Sequence, residues 1–229
     1  MAPKTKAPAS PGQITIPGVQ RKNVELWLIG DSPLIVHAWD PQSRADMLGK
    51  QMGKPTGPRR AKDPSADCNA CFYVHENAYV FPAIPVKRAA VSASRFVEAK
   101  MTEARGMFFV LSDWLPIHGT QPVPREDMVR LGGTTADLRY RPMFERWALP
   151  ITVEFNSAFV QPAQIVNLFE NAGFGVGLGE WRPEKNGPFG RFHVARGDEH
   201  KEFVKMIPKV RPIVVDTGDV VETGARGLS

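Results

Sequence analysis

Glycine occupies every second position of one short segment, at Gly173, Gly175, Gly177 and Gly179. This spacing does not match the G-x-G-x-x-G pattern of dinucleotide-binding folds, because the required third glycine is absent, and no P-loop motif occurs. Backbone without side chains lets a second backbone approach closely. The segment therefore favours a tight turn that packs against other backbone or against a ligand. It gives little support to a nucleotide-cofactor fold.

Proline and glycine are abundant in the whole chain, with 21 and 20 residues among 229. That content predicts many turns and long irregular connections rather than a helical bundle. No stretch is apolar enough for a membrane span, the N-terminus lacks the apolar region of a secretory signal, and two cysteines occur. We therefore expect a protein of the reducing cytoplasm, with no membrane segment and no disulfide scaffold.

Hydrophobic periodicity predicts both strands and helices. The predicted strands are residues 24–29, 107–111 and 148–155, with a hairpin over 72–81, and the predicted helices are 41–52, 85–104 and 162–171. Segregated helices and short antiparallel strands indicate an α+β fold. A ferredoxin-like core with long loop insertions accommodates their order. The rest is interpreted as loop-rich over residues 113–147 and as a candidate edge strand at residues 213–215.

Composition divides the chain into three parts. Residues 1–22 are a basic tail rich in proline and alanine, which we expect to be disordered or to act as a strap. Residues 23–208 form a single α+β domain that includes a mobile basic loop over residues 53–67. Residues 209–229 form an extended C-terminal tail.

The net charge of +5 invites a nucleic-acid interpretation, which depends on where the charge lies. Four of those five charges lie in residues 1–22, so the remainder of the chain is nearly neutral. Any basic surface on the folded part must come from local clusters, at residues 44–62, 139–147 and 182–191. The first cluster is either a solvated surface loop or a flexible clamp over a polyanion.

Basic and aromatic residues alternate with glycine after the glycine-rich segment, a pattern that suits phosphate contacts and base stacking. The alternative is a glycine-rich hairpin that packs Trp181 on the core and leaves the charges in solvent. The cluster around Arg139 and Arg141 suits the same contacts, or an amphipathic strand whose arginines pair with acids such as Glu145. The candidate nucleic-acid-binding residues are Arg59, Arg60, Lys62, Lys87, Arg88, Arg139, Arg141, Gly175, Gly177, Gly179, Trp181, Arg182, Lys185 and Arg191.

The sequence predicts no catalytic site, no metal site and no cofactor. Cys68 and Cys71 form a C-x-x-C pair without the two further ligands that zinc needs, so they are interpreted as ordinary thiols. The histidines lack metal-ligand spacing, and neither a nucleophile elbow nor a metalloprotease motif occurs. Glu180 and Glu184 are interpreted as ion-pair partners of the neighbouring cations. We therefore expect a protein that is not an enzyme.

Two stretches resemble a family of uncharacterised phage and prophage proteins. The first is G-D-S-P-L-I-V-H at residues 30–37, followed by M-L-G-K-Q at residues 47–51. The second is A-G-F-G-V-G-L-G-E-W-R-P-E-K-N-G-P-F-G-R-F at residues 172–192. Together they frame residues 24–195. The resemblance implies a location in the cytoplasm of a bacterial host.

The predicted core, with a glycine-rich segment after its last helix, is similar in fold to the RAMP superfamily, the RNA-binding backbone subunits of CRISPR effector complexes. That likeness implies that residues 173–179, with Arg182 and Lys185, contact a nucleic-acid backbone. It also implies that the loop over residues 53–67 grips the strand. The catalytic histidine of the RNA-processing members has no counterpart at a matching position, which argues against nuclease activity.

Two functions are open at this point. The first is a non-enzymatic protein that holds or coats a single strand of DNA or RNA, as a homo-oligomer or within a multi-subunit assembly. The second is a phage structural or assembly protein whose tails and glycine-rich hairpin contact neighbouring subunits.

Overall fold

The computed structural model describes residues 18–55, 61–97, 100–131 and 135–216. Helices and strands are both abundant, which confirms the predicted α+β class. The elements are, in chain order, β1 (Arg21–Gly30), β2 (Leu34–Ile35), α1 (Pro41–Gln51), α2 (Pro64–Ala70), β3 (Val74–His75), β4 (Ala78–Pro82), α3 (Ala83–Ala93), α4 (Met101–Met107), β5 (Phe108–Leu111), β6 (Trp114–Pro116), β7 (His118–Gly119), β8 (Val123–Leu131), β9 (Thr135–Phe144), β10 (Trp147–Asn156), α5 (Pro162–Gly175), β11 (Phe192–Val194) and α6 (Lys201–Val204). Within these ranges, no helix combines the length and the apolar character needed to cross a membrane.

The main sheet is antiparallel, with the strand order β11-β1-β10-β5 and with β7 paired beside β10. β1 and β10 form its long central pair, in which Leu28 lies opposite Leu149. The chain passes from β1 to β5 by way of α3, and from β10 to β11 by way of α5. The two helices contact each other, so the sheet and both connections form one packed unit.

One face of this sheet carries the hydrophobic core. Residues of β10 alternate between buried and half-buried positions from Leu149 onward, as the predicted strand over residues 148–155 requires. Burial of each large apolar side chain contributes about 1.5 to 3 kcal/mol, so this cluster holds α3 and α5 firmly on the sheet. The cluster joins the sheet to both helices through residues that include Leu28, Leu149, Val86, Ala90, Ile165 and Phe169.

The turn that follows β1 is fixed by a tryptophan from β10. Trp147 is fully buried, and its indole N–H donates to the Ser32 carbonyl oxygen at 2.8 Å. A side chain at Gly30 would overlap the indole ring, so glycine is required at the end of β1. This contact sets the position of Leu34 and Ile35, which later meet the glycine-rich segment.

The interpretation of residues 113–147 as loop-rich is wrong. β8 and β9 form a long antiparallel hairpin, and β2 pairs with the other side of β9. The prolines that suggested loops, Pro124 and Pro142, lie opposite each other in the hairpin register. Proline cannot donate to a strand ladder, but its carbonyl can still accept, and Pro142 accepts from the Val36 amide at 3.1 Å.

The single helix predicted over residues 85–104 is also wrong, because the structure divides it. α3 ends at Ala93, and a 3₁₀ turn follows at Ser94–Val97. The Ser94 hydroxyl donates to the Val91 carbonyl oxygen at 2.8 Å, a local bond that competes with helix continuation. α4 begins at Met101, so the end of the predicted apolar stripe is exposed rather than buried.

The basic loop is shorter than predicted. Asp63 caps α2, and its carboxylate accepts from the Ala66 amide at 2.9 Å, so residues 64–67 are helical. The predicted site residues Arg59 and Arg60 lie outside the described residues. At the N-terminal end, β1 begins at Arg21, inside the part that the sequence assigned to the tail over residues 1–22.

The C-terminal segment has no regular secondary structure from residue 206 to residue 216, and no strand forms in this described part. Side chains hold its backbone instead. Asn69 exchanges two hydrogen bonds of 2.8 Å with the backbone of Ile213, and the Ser65 hydroxyl accepts from the Val215 amide at 2.9 Å. The candidate edge strand at residues 213–215 is therefore wrong.

Candidate nucleic-acid interface

The glycine-rich segment, residues 173–179, begins inside a helix. α5 ends at Gly175, beyond its predicted end. A side chain at Gly173 would overlap the Phe192 carbonyl oxygen, so glycine lets α5 lie directly on β11. At Gly175, a Cβ would lie 2.7 Å from the Phe96 ring. The first glycines of the segment therefore serve close packing of the helix.

The turn after α5 folds back on its own chain. The Leu178 amide donates to the Gly190 carbonyl at 2.9 Å, and the Glu180 amide donates to the Ile35 carbonyl at 3.0 Å. Gly179 has a φ of +72°, and a Cβ there would overlap the Ile35 carbonyl oxygen. The protein's own backbone thus occupies the space that these glycines leave open, which is the internal packing expected of a glycine-rich hairpin.

A cleft of about 560 Å³ opens between α3, α4 and this turn, and we call it the basic cleft. Its wall on the turn side includes Gly177 and Gly179. Residues that the sequence predicted separately, on the long helix and in the glycine-rich segment, therefore come together here. Among the described residues, its charged lining consists of Lys87, Arg88, Arg105, Arg182 and Glu184.

Arg182 is anchored within the basic cleft. Its guanidinium donates to the Glu184 carboxylate at 3.0 and 3.3 Å and to the Gly179 carbonyl at 3.1 Å. Glu184 also accepts from the Ser92 hydroxyl at 2.8 Å and lies 3.7 Å from Arg95. Burial alone would raise the pKa of Glu184, but the hydrogen bonds from Ser92 and Arg182 outweigh it and hold that pKa below its ordinary value. Arg182 therefore shapes the wall of the cleft. The ion pair predicted between Glu184 and a neighbouring cation is present.

Arg88 and Arg105 are the exposed cations of the basic cleft. Neither side chain makes a hydrogen bond or an ion pair with any residue in the described part of the chain. Lys87 lies beside them, with its ammonium 3.9 Å from the centre of the Phe109 ring, and burial lowers its pKa. A guanidinium presents five N–H donors in a plane that matches two phosphate oxygens, so these two arginines are ready to contact an anion.

A second cleft, of about 400 Å³, is linked to the lining of the basic cleft through Glu180, and we call it the aromatic cleft. Glu180 follows Gly179 of the basic cleft, and its carboxylate accepts a hydrogen bond at 3.2 Å from His37 of the aromatic cleft. That bond is the main cause that lowers the pKa of Glu180, and the charges of Arg141 and Arg182 add to it. The lining of the aromatic cleft includes His37, Trp39, Ser43, Lys62, Arg139, Tyr140 and Arg141.

The predicted arginines of the 139–147 cluster are paired within the β8–β9 hairpin. Arg139 donates to Asp137 at 2.9 Å, and Arg141 donates to Asp127 at 3.4 Å. Asp127 also accepts from Arg125 at 2.9 Å. The amphipathic-strand alternative is therefore correct about pairing, but the partners are aspartates of the hairpin rather than the predicted glutamate.

The other predicted residues lie around the glycine-rich turn. Trp181 is 39% exposed and adopts a φ of +50°. Lys185 ends the 3₁₀ turn at Pro183–Lys185 and is exposed. The Arg191 guanidinium lies 5.6 Å from the centre of the Phe174 ring. These residues extend the surface beside the basic cleft without lining it.

Two residues of these clefts, Arg105 and Trp39, are absent from the sequence prediction. Arg105 belongs to α4, whereas the sequence predicted a single helix over residues 85–104. No sequence pattern therefore indicated that Arg105 lines the same cleft as Arg88. Trp39 stands directly before the α1 cap, Asp40, and is 58% exposed. Trp39 is a large aromatic residue that belongs to no periodic apolar pattern, and this isolation is the sequence signal that could have identified it.

Cys68 and Cys71 are free, buried thiols at the end of α2. Burial is the main cause that raises the pKa of Cys68 to about 12 and that of Cys71 to about 11. Such thiols stay protonated at neutral pH and are poor nucleophiles, as expected of ordinary thiols. In the described ranges, no three His, Cys, Asp or Glu side chains are grouped so that they could hold a metal ion.

No protein-family model matches the chain, and no curated protein matches it either. The resemblance to phage and prophage proteins and the likeness to the RAMP superfamily therefore stay predictions. The geometry of the two clefts carries the functional assignment.

Replacement of Gly190 tests whether the turn depends on close backbone approach. Gly190 has a φ of +66°, and a Cβ would overlap the Leu178 carbonyl oxygen. We expect Gly190→Ala to lower the free energy of unfolding in urea by about 2 to 4 kcal/mol, from left-handed strain and displaced backbone. Gly197→Ala is the control, because Gly197 has a φ of +54° and nothing within 4 Å of its Cβ. It should cost about 1 kcal/mol, and equal costs for the two variants would contradict this account.

The Glu184 network predicts a pH dependence of stability. Because the folded protein lowers the pKa of Glu184, its contribution is present above the ordinary carboxyl pKa and disappears as the pH falls through the folded value. The free energy of unfolding of wild type should therefore exceed that of Glu184→Gln at neutral pH, and the gap should close on acidification. Ser92→Ala keeps the carboxylate and removes only one of its donors. The difference in free energy of unfolding between wild type and Ser92→Ala should therefore change less with pH than the difference between wild type and Glu184→Gln. A gap that stays constant from neutral to acidic pH would refute the assignment.

Proposed function

We propose that this protein binds a single strand of nucleic acid without acting on it as an enzyme, and that the basic cleft holds the phosphate backbone. The observation that carries the proposal is the convergence of cations from α3, α4 and the glycine-rich turn on one cleft of about 560 Å³. The net charge of +5 is small for 229 residues, so this cluster is a local feature and not a consequence of net charge. Phosphate is the anion that nucleic acids repeat along a strand.

The proposal assigns different tasks to the cations of the cleft. Arg182 is bound to Glu184 and to the Gly179 carbonyl, so it supports the wall. Arg88 and Arg105 have no partner among the described residues and are exposed, so they contact phosphate directly. Lys87 adds positive charge nearby at a site that is already partly desolvated.

The glycines have a supporting role in this proposal. Gly175, Gly177 and Gly179 let the chain pass where side chains would collide, as the contacts of Gly179 with Ile35 illustrate. The Leu178 and Glu180 amides are already bonded within the protein. The strand is therefore held by side chains beside the segment, and not by the glycine backbone that the RAMP likeness implies.

We also infer that the core is ferredoxin-like. The order β11-β1-β10-β5, with all neighbours antiparallel and with α3 and α5 as the connecting helices, supports that arrangement. The fold alone does not establish nucleic-acid binding, because many functions share it. The placement of the protein in a bacterial host and its assembly as repeated copies are parts of the same proposal.

Removal of the two unpaired arginines tests the proposal. We expect Arg88→Gln combined with Arg105→Gln to weaken binding of a labelled single strand at least about tenfold in fluorescence anisotropy, because charged hydrogen bonds to phosphate are lost. The slope of log Kd against log salt concentration should become shallower by the contribution of about two phosphate contacts. DNA and RNA strands should be tested in parallel.

The matched control is Lys201→Gln combined with Lys205→Gln. It removes the same charge from α6 and its end, away from both clefts. Its affinity and salt slope should stay close to those of wild type. Wild type that binds no strand at low salt, or equal losses in both double variants, would overturn the proposal.

A second candidate function is structural, as an assembly protein, and α1 favours it. None of the residues of α1 is buried, and Met47 and Leu48 of the helix are exposed together with Met52, which follows its end. An isolated helix of this length is marginal in water, so a surface of a second copy would stabilise it. We expect Met47→Gln combined with Leu48→Gln to lower the mass measured by light scattering from oligomer to monomer. A wild type that is already monomeric would exclude this candidate.

A further inference from the structure

We propose that the aromatic cleft receives one unstacked nucleobase of the bound strand. This inference rests on the proposed function, because it supplies a base site beside the cleft that holds the phosphates. Glu180 links the two linings, because it follows Gly179 of one cleft and bonds to His37 of the other. In this proposal, a strand whose phosphates lie in the basic cleft passes Glu180 and places one base in the aromatic cleft.

Charge favours a base over a second phosphate at this site. The cations that line the aromatic cleft are already paired with carboxylates: Lys62 with Asp67 at 3.1 Å, Arg139 with Asp137 at 2.9 Å, and Arg141 with Asp127 at 3.4 Å. A phosphate would have to displace these carboxylates or lie beside them. A neutral, planar ligand has no such conflict.

The walls also have the chemistry of a base site. Trp39 is 58% exposed at the cleft and offers a ring face on which a base can stack. A cleft of about 400 Å³ lies within the size range of small-molecule sites.

Arg141 supplies an independent observation. Its side chain is only 7% exposed, and its Nε has no hydrogen-bond partner within the described residues. A buried donor without a partner is costly, and native structures rarely leave one unexplained. Arg141 lines the cleft, although its Nε has no surface open to it, so an acceptor atom on the edge of a base, such as a pyrimidine carbonyl, becomes its partner only after the side chain moves toward the base.

The experiment compares two labelled strands of equal length on the full chain by fluorescence anisotropy. One strand carries only thymine, and the other has the same backbone with every base removed. Wild type should bind the thymine strand about five- to a hundredfold more tightly than the abasic strand, which corresponds to the loss of stacked bases. Trp39→Ala should lose much of that preference while it keeps its affinity for the abasic strand. Trp39→Phe should retain most of the preference, because phenylalanine still offers a ring face.

Trp114→Ala is the matched control, since Trp114 is 38% exposed and lines neither cleft. It should leave the preference unchanged. If wild type binds both strands equally, or if Trp39→Ala keeps the full preference, the base site is overturned. The phosphate function then still stands, provided that the double variant of Arg88 and Arg105 loses affinity. Wild type that binds neither strand overturns both proposals.

Discussion

The close approach of backbone to backbone around the glycine-rich segment is the constraint on which the rest of the structure depends. Side chains are excluded where Gly173 meets Phe192 and where Gly179 meets Ile35. The first contact seats α5 on β11, and the second ties the turn to the strand region after β1. Because the basic cleft is bounded by this turn, its shape depends on contacts that only glycine permits.

The charged side chains of the candidate interface fall into two groups: those paired within the protein and those without a partner in the described residues. The network of Arg182, Glu184 and Ser92 satisfies its own charges and fixes the turn against α3. Arg88 and Arg105 face the same cleft without a partner in the described residues. A fold of small net charge can in this way present a small, strongly cationic groove. The aromatic cleft differs, because its cations are paired with carboxylates and its lining includes an exposed tryptophan.

Periodicity identified the elements that are amphipathic, and it failed where local chemistry overrode it. Alternation in β10 and the apolar spacing of α5 located both correctly, because each has one buried face. The β8–β9 hairpin was missed because Pro124 and Pro142 stand opposite each other in a ribbon that tolerates them. The division of the long helix depends on a bond from Ser94 to Val91, which no residue pattern marks.

The candidate site was predictable in part for a related reason. Lys87, Arg88 and Arg182 were identified from their types, but nothing in the sequence showed that they converge. The partner of each arginine is a matter of tertiary geometry, so the anchored role of Arg182 and the free role of Arg105 required the structure. Trp39 lies outside every basic cluster and was therefore overlooked.

The central claim is that the glycine-rich segment is an internally bonded wall and does not grip the strand with its own backbone. Hydrogen–deuterium exchange of the full chain, with and without a single-stranded oligonucleotide, tests it most directly. The claim predicts slow exchange of the Leu178, Glu180 and Gly190 amides in the free protein, because each is bonded to a carbonyl of the same chain. It also predicts little change at these amides when the strand binds. Fast exchange in the free protein, slowed only by the oligonucleotide, would contradict it.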